Sequence, residues 1–122
     1  MQTSMGGLRN LEALVQHAER IEGVHRNDLR CGDWVLVNTL NSLYSIYVLG
    51  DGKYTVSGGW FDREGLAPAT LTINGCTWGG RAIKSDLVAA RGLCLEFGND
   101  VITTRIQRVR VIRSEEQEVR IQ

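Results

Sequence analysis

The chain has 122 residues, room for one hydrophobic core, because two cores would leave each half near the lower limit of independent stability. It is 43% hydrophobic and 23% charged, a composition that excludes intrinsic disorder. Fourteen basic residues balance fourteen acidic ones, which excludes the broad positive surplus that draws proteins onto nucleic acid or anionic membranes.

Fourteen glycines stand beside a single proline, so frequent chain reversal is expected and an all-β domain with tight turns fits best. The N-terminus has no basic segment followed by an apolar run, and no later stretch nears the roughly 18 apolar residues of a membrane span. A soluble, unexported chain is expected. Cys31, Cys76 and Cys94 make an odd count without a Cys-x-x-Cys pair, which fits a reduced, cytoplasmic protein. His25 and Cys31 lack a second close ligand pair and make a poor zinc signature, while Cys76 and Cys94 read as small buried hydrophobes. Neither a metal nor a cofactor is expected.

In chain order, Leu8, Leu11, Leu14, Val15, Ala18 and Ile21 recur at helical spacing with charged residues between them, so an amphipathic helix of roughly four turns is predicted, stopped by Gly23. Its apolar stripe must dock on the β domain or on a second copy of the chain. Residues 1–28 are thus helix and connection, 29–113 a barrel-like β domain, and 114–122 a charged tail expected to fray.

Within the β domain, Trp34–Val37 and Leu43–Leu49 are strands, the second apolar on both faces. Gly50-Asp51-Gly52 closes a hairpin into residues 53–57, where Tyr54 and Val56 face inward. Gly58-Gly59 before Trp60 and Phe61 marks a sharp bend, as suited to a barrel corner as to a binding site. Residues 62–68 form a loop. Ala69–Ile73 is a strand, and Asn74-Gly75 gives the strongest hairpin signal in the chain. Residues 81–91 are ambiguous between a helical turn and a strand, and irregular structure is expected there. Leu93–Phe97 alternates, Gly98-Asn99-Asp100 turns, and Val101 opens the longest strand. In that last strand Ile102 and Ile106 share one face while Val109 and Val111 share the other, so a bulge near Gln107-Arg108 or a sharp bend is required. The resulting fold class is mainly β: a small antiparallel barrel or rolled sheet of six to seven strands with one N-terminal helix, a β-sandwich being the alternative.

The stretch Leu29-x-x-Gly32-Asp33-x-Val35-x-Val37-x-Thr39, then Asn41-Ser42-x-Tyr44 and Val56-Ser57-Gly58-Gly59, resembles a set of small uncharacterised bacterial β-domain proteins. Gly92-x-x-Leu95-Glu96-Phe97 and Thr103-Thr104 are similar to the end of that pattern, with Arg105 where the pattern carries a proline. The resemblance implies a β domain in a bacterial cytoplasm and brings no activity, cofactor or catalytic residue with it.

No catalytic set is evident. His17 and His25 lie away from any nucleophile motif, Asp62 and Glu64 read as a solvated charge cluster beside Arg63, and the glycine pairs lack the lysine and strand-loop-helix setting of a phosphate loop. Arg105, Arg108, Arg110 and Arg113 form the one basic cluster, with Arg108 and Arg110 on a shared face. Three functions follow. The first is a non-enzymatic binding or assembly module that recruits a protein partner or a second copy through its helix or an aromatic face at Trp60 and Phe61. Against that stands single-stranded nucleic-acid binding along Arg105, Arg108 and Arg110 with Trp60, Phe61 or Trp78 stacking bases, which zero net charge disfavours. The third is a small hydrolase gathering His25, Asp33 or Asp62 with a nucleophile. No membrane partner is expected.

Overall fold

A computed structural model describes residues 18–79 and 82–114. Eleven strands lie among them: β1 (Glu19–Ile21), β2 (Gly23–His25), β3 (Trp34–Thr39), β4 (Leu43–Gly50), β5 (Lys53–Gly58), β6 (Ala69–Leu71), β7 (Ile73–Thr77), β8 (Ile83–Lys84), β9 (Leu87–Ala90), β10 (Cys94–Phe97) and β11 (Ile102–Ile112). A 3-10 turn, Arg26–Asp28, follows β2, and a short helix α1, Gly59–Arg63, follows β5. The sheet runs β6-β5-β4-β3-β11-β10-β7-β8 with β1 added to β11, and β2 pairs separately with β9. The pairings are antiparallel.

This path has two ends, so the ladder does not close into a barrel. β6 and β7 are nearly one segment, parted only by Thr72, yet β6 pairs with β5 and β7 with β10. One residue cannot cross a flat sheet, so the sheet curls until those distant strands approach each other. At the crossing the Thr72 carbonyl accepts a hydrogen bond from the Gly98 amide at 2.8 Å, and the chain changes edges there instead of completing the ladder. Strand counting from sequence came out low because this break, and the short pairs β1, β2 and β8, carry too little alternation to register.

Inside the curl, strand parity decides burial. Val35 and Val37 of β3, Ile46 of β4 and Val56 of β5 are completely or almost completely buried, as alternation requires. Asp51 (φ 53°) and Gly52 (φ 75°) form a two-residue turn closed by the Gly50–Lys53 pair, the left-handed geometry an Asp-Gly hairpin demands. Gly58 and Gly59 also have positive φ, and a side chain on either would strike the Leu43 carbonyl or the Tyr44 ring. The bend they permit sends Phe61 into the core, edge-on to Phe97 with ring centres 5.0 Å apart.

Several expectations are corrected. The predicted N-terminal helix lies mostly outside the described residues, and its final turn, Glu19–Ile21, is strand β1, which docks on β11. Gly23 is a strand residue, not a helix stop. Residues 59–63 are helical where bend and loop were expected. Asn74-Gly75 makes no hairpin: β7 runs through it, and the register against β10 slips there, Gly75 facing Glu96 and Ile73 facing Phe97. The conformational freedom of that dipeptide is spent on a bulge, and Gly75 is required because the Lys84 backbone crosses close above it. Residues 83–90 form β8, a turn and β9, where irregular structure was expected; pairing with β7 and β2 imposes order on a locally indecisive segment.

Candidate functional site

The longest strand creates the most distinctive surface. Against β3, the register of β11 shifts between Ile106 and Arg108, which leaves Gln107 as the extra residue. Beyond the bulge Val109 and Val111 point into the core, both buried, and Arg108 and Arg110 are turned to the opposite face. The bulge expected from the switch in apolar parity is therefore present. A second shift, against β10 between Cys94 and Glu96, places Thr103 inward and leaves Ile102 exposed, contrary to the simple even-face assignment of Ile102.

Arg20 of β1 lies directly across from Arg110, and Arg108 lies across from Asn38 of β3. The Asn38 Oδ1 accepts hydrogen bonds from Arg110 Nη2 at 3.2 Å and Arg108 Nε at 3.4 Å. One amide oxygen thus holds two guanidiniums side by side. Burial, and then the charges of Arg108 and Arg20, lower the pKa of Arg110. Like charges facing across paired strands oppose folding, and among the described residues this face of the sheet gathers Arg20, Arg108 and Arg110.

Next to this row, Arg20, Ile21, Glu22, Arg91, Gln107, Arg108 and Val109 line a half-open groove of about 320 Å³. The Arg91 amide donates to the Glu22 carbonyl at 2.7 Å, pinning one wall to the other. Their side chains meet only as an exposed pair at 3.5 Å, a weak contact in water. Among the described residues, three guanidiniums therefore border the groove against one carboxylate. A second groove, of about 350 Å³, lies between the β4–β5 hairpin and the 3-10 turn. Its Arg26 is committed to the Ser85 and Ile73 carbonyls, and Asp51 offsets Lys53, so it has no comparable charge excess.

Compared with known proteins, the chain matches no family model, no curated protein and no solved structure. Its site is read from geometry.

The sequence-derived candidates separate. Phe61 is fully buried and Trp60 is half-buried against it, rings 5.2 Å apart, with the Trp60 amide donating to the Tyr44 hydroxyl at 3.2 Å. Phe61 is thus core and offers a partner nothing, while Trp60 lies at the edge of the core. Trp78 is 54% exposed. Arg105 donates to the Trp78 carbonyl (3.2 Å) and the Gly92 carbonyl (2.9 Å), away from the Asn38 pair. Arg113 binds Asp33 at 3.2 Å, tying the end of β11 to the start of β3.

The residues weighed for hydrolysis all have structural partners. Buried Asp33 accepts from the Arg30 and Ser114 amides, Asp62 accepts from the Gly58 amide, and His25 lies 3.3 Å from Asp86. None of these contacts joins one of the three to another. Cys76 is buried, and desolvation pushes its thiol up to about 12, far from a nucleophile's range. Among the described residues no group of three His, Cys, Asp or Glu side chains is placed to hold a metal ion.

Sequence reasoning missed Arg20, Asn38 and Arg91 as neighbours of the arginine strand. The obstacle was Arg20, which fell in the predicted helix; only its pairing with Arg110 brings β1 to this face. The arginine cluster of the last strand and the parity argument that located its bulge were the signals that pointed here.

Proposed function

We propose that this protein is a non-enzymatic binding module that takes an anionic partner in the groove between β1, Arg91 and β11. The observation that carries the reading is the set of three guanidiniums around one groove, backed by Arg110 and spaced by Asn38. Arg108 is held in place by Asn38, and the exposed Arg20 and Arg91 can each add charge-assisted hydrogen bonds to a phosphate or carboxylate. Recruitment through the Trp60–Phe61 corner would rest on the half-buried Trp60 alone, because Phe61 fills the core. The odd cysteine count and the resemblance to bacterial β domains support a cytoplasmic setting, and among the described residues no helix is long and apolar enough to cross a membrane.

Calorimetric titration of inorganic tripolyphosphate at low salt tests this reading. Saturable binding is expected, weakened about tenfold or more by Arg108→Ala, the size of one lost charge-assisted hydrogen bond. Lys53→Ala, on the remote β4–β5 hairpin, should leave affinity unchanged. Absence of binding at low salt, or equal affinity in the Arg108 variant, contradicts the proposal.

A further inference from the structure

The cationic groove continues toward an exposed aromatic ring. Gln107, which lines the groove, donates through Nε2 to the Arg105 carbonyl at 3.3 Å. Arg105 in turn reaches the carbonyl of Gly92, the neighbour of Arg91, and that of Trp78. Its guanidinium therefore braces the end of β7 against the turn that supplies the groove wall. Trp78 sits on this brace with more than half its surface exposed, and Lys84 Nζ lies 5.7 Å from its ring centre. The other described tryptophans differ: Trp60 packs on Phe61, and Trp34 on Tyr47 at 4.9 Å.

We propose that the anionic partner is a single-stranded nucleic acid, with one base stacked on Trp78 and the adjoining phosphates in the groove of Arg20, Arg91 and Arg108. The inference rests on the binding-module reading and adds the class of ligand. An inorganic anion could use the arginines but has no planar ring to lay on an exposed indole, and an acidic peptide has one only where an aromatic residue falls beside its carboxylates, whereas every nucleotide joins a base to its phosphate. Bases stack on aromatic side chains with little regard to sequence while a positive groove follows the backbone. From Arg105 to Arg110 the strand extends roughly 16 Å at 3.3 Å per residue, which suits the short end of the range small β domains occupy, about four nucleotides. Arg105 acts here as a positioning residue, fixing the backbone under the ring. Zero net charge over the whole chain does not oppose this arrangement, because the cations that matter are gathered on one face.

Fluorescence anisotropy with a labelled oligothymidylate of about eight nucleotides tests the inference, with linear polyphosphate and oligoglutamate of similar charge as competitors. The oligonucleotide should bind more tightly than either. Trp78→Ala should weaken it about five- to a hundred-fold, Trp78→Phe should recover most of the loss, and polyphosphate binding should be unmoved by both. Matching thermal unfolding of the variants and the parent separates stacking from misfolding. If polyphosphate or oligoglutamate binds as tightly as the oligonucleotide and Trp78→Ala changes nothing, the nucleic-acid inference fails while the anion groove stands. If none of the three binds at low salt, both fail.

Discussion

Cys76 shows how a single side chain is set by its surroundings. It is completely buried in β7, and desolvation, the largest influence on it, raises its pKa from 9.0 to about 12. The fold therefore favours the neutral thiol. That contribution is complete below pH 9 and is lost as the pH rises from there toward 12. Urea unfolding should show stability falling by up to about 1.4 kcal/mol per pH unit across this window, and Cys76→Ala should flatten the fall. Identical pH profiles for the two proteins contradict the assignment. The burial of this cysteine was legible in the sequence as a small apolar residue in a strand. Phe61 and Gly75 were not, for a common reason. An aromatic beside two glycines, or an Asn-Gly pair, announces unusual backbone; whether that backbone makes a corner, a bulge or a hairpin depends on what crosses it. Phe97, on a distant strand, and the Lys84 backbone, on the next strand along the chain, decide these two cases.

At the scale of elements, β11 organises the molecule. One edge pairs with β3, while the other is shared between β10 and β1, and the bulge at Gln107 lets one strand serve these partners with the correct faces inward. Deleting Gln107 leaves Ile106, Arg108, Val109, Arg110 and Val111 in unbroken alternation, so the variant should lose the bulge, keep Val109 and Val111 inward and still unfold cooperatively. Gln107→Ala keeps the residue count and removes only an exposed side chain with one hydrogen bond, so its cost should stay below about 1 kcal/mol. A deletion variant that does not fold, or one in which Val109 becomes exposed, contradicts this account of the strand. The parity switch was readable because it involves consecutive residues of one strand. The identity of β1 was not, because Ala18 and Ile21 extend a helical apolar spacing through residues that pair as strand. Val111, Arg110 and Val109 supply their partners, and this long-range ladder overrides a local pattern.

Across the whole molecule, the curl of the sheet and the distribution of charge produce the surface of interest together. Turning the chain at Thr72 brings the ends of the ladder near each other and encloses the core, leaving the outer face of β1, β11 and β3 to carry Arg20, Arg108, Arg110 and Asn38. On this same face Leu36 and Ile112 form a small second apolar cluster with Ala18 and Trp34. Composition alone shows only neutrality, since charges summed over a chain contain no positions; the asymmetry becomes visible when β1, the Arg91 turn and β11 are juxtaposed. The central claim is that this juxtaposition binds an anion. Titrating inorganic tripolyphosphate into ¹⁵N-labelled protein at low salt, and following its amide resonances, tests it most directly. Saturable shifts concentrated at Arg20, Glu22, Arg91, Gln107 and Arg108 are predicted, with the β4–β5 hairpin at Asp51 and Gly52 unmoved; shifts centred on that hairpin, or none at any residue, would contradict it.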